Sequence, residues 1–272
     1  MKKIIVATDF SKTATNAAHY AADMAMAIGA DLMLLHIYQV PVIYSEAQSA
    51  VNIDDWTRDA WAELSILKND LVTRTDGKIN IEAQAIEGEF FNELKDACET
   101  VQPYAVIMGS QGSTAAERFF LGGHTVNAMR NLNWPMIAVP PGVVFASLKK
   151  VGLACDFEQV LDTIPAEEVK KLVTDFKAEL HVLNTGKKTD FDPDTVFQSG
   201  MLQEMISDLK PAYHFITHFD TDQGILDFAE KNQIDLLLVL PKRHGLLDKL
   251  LHKSHTKQLV LHSHVPVMAL HA

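Results

Sequence analysis

The residue types best suited to chemistry in this chain are gathered in one stretch, GSQGSTAAERFFLGGHT, running from Gly109 to Thr125. It holds four glycines and follows directly on the apolar run Ala105–Met108. Glycine loses more backbone freedom on folding than any other residue, so a cluster of it marks a geometry that side chains would forbid. Two geometries qualify: turn punctuation, or a cradle in which backbone N–H groups meet an anion. Gly112 would let the chain turn tightly. Gly122 and Gly123 stand just ahead of a helical pattern, and a helix start offers unpaired N–H groups and the positive end of a dipole. Thr125 adds a hydroxyl and His124 a ring nitrogen, both suited to phosphate oxygens. This is the chemistry of binding. No phosphate-loop lysine and no base aimed at an attacking water accompany the glycines, so the expectation is a protein that is not an enzyme.

Composition narrows the ligand. The 272 residues are 47% apolar and 22% charged, the profile of a globular protein with a sizeable core. Asp plus Glu number 35 against 24 Lys plus Arg, a formal charge of -11. That balance argues against nucleic acid as a partner, which needs a basic surface. An anionic ligand must then be drawn in by local dipoles or by a metal. No apolar run is long enough to cross a bilayer, and the opening MKKIIVATD has too short an apolar run for a signal peptide; the expected location is cytoplasmic, without membrane contact. Cys98 and Cys155 are too few for a disulfide framework and read as buried thiols.

The chain also repeats itself. KKIIVATDF (Lys2–Phe10) returns as KKVGLACDF (Lys149–Phe157), matching Asp9 to Asp156. GADLMLLHI (Gly29–Ile37) returns as KAELHVLNT (Lys177–Thr185), and GHTVNAMRNLNWPMIAV (Gly123–Val139) aligns without a gap on SHTKQLVLHSHVPVMAL (Ser254–Leu270). Two similar modules in tandem, 1–146 and 147–272, account for these matches, with the joint near Pro140-Pro141-Gly142. Each module alternates short apolar strands with helical patterns. Ser11 suits an N-cap, the alanines from Ala14 to Ala25 recur at helical spacing, and Gly29 suits a stop. Continuous apolar strands separated by helices predict an α/β fold: two flavodoxin-like or Rossmann-like domains in tandem, each a five-stranded parallel sheet with helices on both faces.

In such a sheet, ligands sit beyond the carboxyl ends of the strands, where the strand order reverses. If the order is flavodoxin-like, strands one and four are expected to be neighbours there, and Asp9 and Gly109 meet. The constellation fits a nucleotide, with base and ribose near Asp9 and Ile37 and phosphates in the glycine loop. Thr8, Phe10, Met108 and Gln111 flank these positions and complete the expected lining. The spacing of Gly109, Gly112 and Gly122, the first strand ending in Asp9 and the terminal WPMIAV strand resemble the universal stress protein family over nearly the whole chain. That resemblance implies ATP contacts at Asp9, Gly109, Gly112, Gly122 and Thr125, with Mg²⁺ or Mn²⁺ at the phosphates. It also implies association through last strands, so that Met136–Val139 pairs with Val267–Leu270 to make one chain a pseudo-dimer, with a homodimer as a further level. One position departs from the family: Gly123 stands where ATP-binding members carry Ser or Thr. The second module departs further, with Leu240, Arg243 and Lys253 in place of the three glycines, and Pro165 delays its first helix. Its expected role is structural or partner-binding. Alternatives to a nucleotide-binding stress protein are a scaffold with an empty loop and a slow ATPase.

Weaker signals have plainer readings. TGKKT (Thr185–Thr189) lacks the upstream glycine of a phosphate loop and reads as solvated. His244, His252, His255, His262, His264 and His271 crowd the C-terminal stretch without an evident carboxylate or thiol, so surface histidines are expected rather than a metal site. Phe119–Leu121 suits either a partner patch or a cover for the loop. Trp56 and Trp61 are expected to pack against the sheet or the sister module.

Overall fold

The computed structural model describes residues 2–40, 53–110, 122–157, 159–184, 193–241 and 255–272. In the first half, strands β1 (Lys3–Ala7), β2 (Asp31–Tyr38), β3 (Ile81–Glu87), β4 (Ala105–Gly109) and β5 (Met136–Val139) alternate with helices α1 (Lys12–Ile28), α2 (Ile53–Arg74), α3 (Phe90–Val101) and α4 (Gly122–Asn131). In the second, β6 (Lys150–Cys155), β7 (Glu179–Asn184), β8 (Ala212–Phe215), β9 (Leu236–Val239) and β10 (Val267–Ala269) accompany α5 (Val160–Thr163), α6 (Ala166–Phe176), α7 (Pro193–Ile206), α8 (Thr221–Lys231) and α9 (His255–His262). All ten strands form one sheet, ordered β3-β2-β1-β4-β5-β10-β9-β6-β7-β8. Each half therefore runs 3-2-1-4-5. Of the two orders anticipated, this is the Rossmann one, and it places β1 beside β4.

Every pairing is parallel except that of β5 with β10, which is antiparallel, with Ile137 opposite Met268. The expected pairing of last strands is thus what joins the halves. Because strand side chains alternate between faces, the joined sheet carries two cores. One runs through Ile4, Val6, Leu34, Ile107, Ile137, Val151, Leu153 and Met268; the other holds Ile5, Leu35, Val106, Met108, Ala138, Leu237 and Ala269. Both cores pass from one half into the other.

Local chemistry explains the helix boundaries. Ser11 caps α1 by accepting the Ala14 N–H at 3.1 Å, and Gly29 ends it in the left-handed region at φ +63°. Ala14, Ala17, Ala18, Ala21 and Ala25 form its buried face, short enough to bring the helix close to the sheet. The connection after Val139 is irregular, as Pro140-Pro141-Gly142 suggests, yet it packs. Asn16 donates to the Pro140 and Val143 carbonyls at 3.3 and 3.0 Å, and Phe145 and Leu148 are buried. Trp56 and Trp61 depart from expectation, at 45% and 43% exposure. The buried stripe of α2 is Ala60, Leu64, Leu67 and Leu71; Trp61 falls off it, and Trp56, one turn before Ala60, lies beyond its buried part. Cys98 and Cys155 are buried and form no disulfide, and burial pushes the Cys98 thiol up to about 12.

The seam makes a direct test of this arrangement. Ile137 is fully buried beside it. Ile137→Ala should lower the unfolding free energy by about 2–5 kcal/mol, measured by urea denaturation.

Candidate functional site

The carboxyl end of β1 is shaped by three consecutive residues. Thr8 donates its N–H to the Leu35 carbonyl at 3.0 Å and accepts the Phe10 N–H on Oγ1 at 3.0 Å. Asp9 is exposed, and its Oδ1 accepts the Ser11 N–H at 3.0 Å. Between these two bonds Phe10 is held at φ +62°, a conformation that costs an L-residue about 1–2 kcal/mol. The Phe10 ring lies 4.4 Å from that of His36, which in turn stacks on Tyr38 at 5.9 Å. His36 Nδ1 meets the Thr8 carbonyl at 2.8 Å, so the proton sits on Nδ1. Sequence reasoning passed over His36. Its only signal was a polar ring in an otherwise apolar strand.

At the end of β4 the backbone comes close to α1. A Cβ on Gly109 would lie 2.7 Å from Thr13 Cγ2 and 3.1 Å from the Thr13 carbonyl carbon and oxygen. The absence of a side chain at Gly109 is thus needed for helix–strand packing, quite apart from any ligand. Thr125 is buried and its hydroxyl donates to the Gly109 carbonyl at 3.1 Å, tying α4 to β4. Ser110 donates its N–H to the Val139 carbonyl at 2.9 Å, while its hydroxyl is buried with no hydrogen-bond partner among the described residues. That hydroxyl was also missed by sequence reasoning, although it adjoins Gly109.

Helix α4 starts at Gly122, three residues ahead of the expected Thr125. Gly122 and Gly123 therefore lie within its first turn instead of preceding it. Glycine's low helix propensity hid this start, yet first-turn N–H groups have no intrahelical acceptor in any case. A Cβ on Gly123 would meet nothing within 4 Å, so space is open on that side. His124 is exposed and leans on Phe90 of α3, with ring centroids 4.8 Å apart. Ile37 and Met108 belong to the sheet face covered by α3 and α4. Gln111, Gly112 and Phe119–Leu121 lie outside the described residues. The topology thus gathers Thr8, Asp9, Phe10, Ile37, Met108 and Gly109 at one end of the sheet, with α4 starting alongside.

The second half repeats the first turn but not its surroundings. Cys155 Sγ replaces the Thr8 hydroxyl in accepting the Phe157 N–H at 3.4 Å, and Phe157 stands at φ +59°. Pro165 does precede the main helix α6, with the single turn of α5 inserted before it. Arg243, Lys253, Thr185–Thr189, His244 and His252 lie outside the described residues. His255 is paired through Nδ1 with Asp222 at 2.7 Å, and His271 Nε2 meets the Met129 carbonyl at 2.9 Å. His262 and His264 line a cleft of about 270 Å³ with Asp227 and Glu230. Among the described residues, no three His, Cys, Asp or Glu side chains converge as a metal site.

The two glycines at the site separate packing from ligand space. Gly109→Ala should destabilise the fold by about 1–3 kcal/mol through overpacking against Thr13. Gly123→Ala should be neutral or stabilising by up to about 1 kcal/mol, since open space faces its Cβ. Thermal and urea unfolding of the two variants would measure the contrast.

The model of the universal stress protein family matches residues 1–140 and again 148–271. The chain is similar to universal stress protein Slr1230 of Synechocystis sp., at 23% identity over 98% of this chain and 99% of that protein. It is also similar to universal stress protein MJ0531 of Methanocaldococcus jannaschii, at 25% identity over 51% of this chain and 81% of that one. In three dimensions it resembles a universal stress protein from Archaeoglobus fulgidus, with a TM-score of 0.73, 18% identity, and coverage of 99% of this chain and 96% of the other. That likeness bears on the fold, and the family rests on the two matches to its model. The chain belongs to the universal stress protein family, with two of its domains in tandem.

Proposed function

We propose that this protein binds ATP or a related nucleotide through its first domain, residues 1–146, and that residues 147–272 serve structure or partner binding. The observation that carries this reading is the buried hydroxyl of Ser110 at the end of β4, which has no hydrogen-bond partner among the described residues and lies on the same sheet end where α4 begins with Gly122. A buried hydroxyl without a partner costs about 1–3 kcal/mol, and a phosphate oxygen would satisfy it. The first-turn N–H groups of α4 supply the remaining donors, and the open side of Gly123 supplies room. Asp9 and the Phe10–His36–Tyr38 rings stand where a ribose and base would lie. Mg²⁺ or Mn²⁺ would then be held chiefly by the phosphates, as small hard cations commonly are. In this reading the protein is a cytoplasmic binder, not a turnover enzyme, and homodimers form through surfaces other than the occupied β5–β10 seam.

A second reading, an interaction scaffold with an empty loop, draws on one hydrogen bond and one packing contact already made. The Thr125 hydroxyl is engaged by the Gly109 carbonyl, and Gly109 is bare because Thr13 packs on it. A slow ATPase is the third, and no base is placed for it among the described residues.

Protein denatured directly after purification is expected to release adenine nucleotide or, if purified empty, to bind ATP in a calorimetric titration with Mg²⁺ present. Gly122→Val should weaken that binding at least about tenfold, roughly 1.4 kcal/mol, with unchanged far-ultraviolet circular dichroism. Absence of nucleotide in both measurements would leave the scaffold reading. Multiple-turnover phosphate release that falls on replacing Asp9 would favour the ATPase.

A further inference from the structure

The second domain carries a pair of imidazoles at its outer edge that has no counterpart in the first. His181 on β7 and His214 on β8 meet through Nδ1 and Nε2 at 3.0 Å, with ring centroids 5.2 Å apart. In the repeat, Met33 stands where His181 does, and Gln84 occupies the strand position matching His214. The His214 ring packs on Phe228 of α8 at 4.7 Å. The pair therefore sits where the edge strand, its neighbour and a covering helix come together.

Proton counting constrains this contact. Two nitrogens 3.0 Å apart can share one hydrogen, so one imidazole donates and the other accepts. His181 Nε2 is buried without a hydrogen-bond partner among the described residues, and Glu179 Oε2 lies 3.7 Å from it. One added proton suits this geometry: an imidazolium at His181 donates Nδ1–H to His214 and directs Nε2–H towards Glu179. A second proton does not. It places hydrogens on both facing nitrogens and like charges on adjacent rings, and the contact must open. The remaining surroundings offer little relief. Gly152, beside His181 on β6, has no side chain; Ala212 stands opposite His181 on β8; Phe228 faces His214 from α8. Lys150 of β6 stands opposite Glu179 in register and donates to the Asn232 carbonyl at 3.2 Å. Asp227 and Glu230 of α8 are exposed and line the neighbouring cleft.

We propose that His181 and His214 form a proton-operated latch, holding β8 and α8 closed with at most one added proton and releasing them when both rings are protonated. The direction of coupling follows from burial, which with the neighbouring His181 holds His214 below the usual histidine range. A folded value below the unfolded one, about 6.5, means the latch is fully stabilising above that pH and weakens as pH falls through the folded value. Each pH unit in that window should raise opening about tenfold, because the open form binds one more proton.

Hydrogen exchange of the whole chain from pH 7.5 to 5, corrected for intrinsic rates, tests this on the native protein. Protection of 212–217 should fall about tenfold per pH unit below about 6.5. The opposite edge strand, 81–87, serves as the internal control and should stay level. His181→Met with His214→Gln, which installs the first domain's residues, should abolish the slope. Equal behaviour of the two edges, or a slope that survives the double variant, would overturn the latch. Should that variant fail to fold, histidine ring resonances of the wild type decide: coupled titration supports the latch, and two independent titrations at ordinary values refute it.

Discussion

The antiparallel hydrogen bonding of β5 with β10 is the constraint on which the rest of the molecule depends. A parallel five-stranded sheet leaves its last strand with a row of unpaired N–H and C=O groups, a template for uncontrolled pairing. Here each half covers that edge of the other, and only β3 and β8 remain terminal in the order. The same union threads both apolar cores across the junction, so Ile137 and Met268 belong to one cluster although they come from different domains. Two modest sheets thereby become one large one with a single pair of edges.

That pair of edges is unequal. β3 carries Glu82 and Glu87, charges of the kind that discourage strand addition, and Glu82 is held by Lys3 at 2.9 Å. β8 reads Ala-Tyr-His-Phe, short and uncharged at neutral pH, with Phe215 largely exposed. The first domain carries Asp9, Ser110 and Thr125 at the carboxyl ends of its central strands, and the second places His181 and His214 at its border. Duplication thus preserved the architecture while the chemistry of the two copies diverged.

Much of this was legible in the chain. The apolar runs, the capping Ser11, the closing Gly29 and the internal repeat led to the alternation of strands and helices and to two tandem modules, because each rests on local pattern or on matching one half to the other. The pairing of last strands was implied by the family resemblance. The meeting of Asp9 and Gly109 was legible through topology alone. What escaped depended on packing that no local pattern encodes. The bareness of Gly109 answers to Thr13, nearly a hundred positions away in the chain, and the start of α4 at Gly122 defies helix propensity. His36 and Ser110 acquire meaning only through the Thr8 carbonyl and the lack of a hydrogen-bond partner among the described residues. His181 and His214 become neighbours only once the register of β7 on β8 is known. The exposure of Trp56 and Trp61 shows the converse error, in which large apolar rings were expected to pack against the sheet or the sister module.

The left-handed phenylalanine after each first strand belongs to the fold before it belongs to any ligand. Phe10 and Phe157 share it, at φ +62° and +59°, although the glycines of the first loop have no equivalents in the second. Each is clasped by the side chain two residues earlier, an oxygen in one copy and a sulfur in the other. Were this kink a spring wound for nucleotide, the copy without the loop would have had every reason to relax it. It is better understood as a hinge pin of the fold, one that turns the chain from sheet into helix in both halves alike.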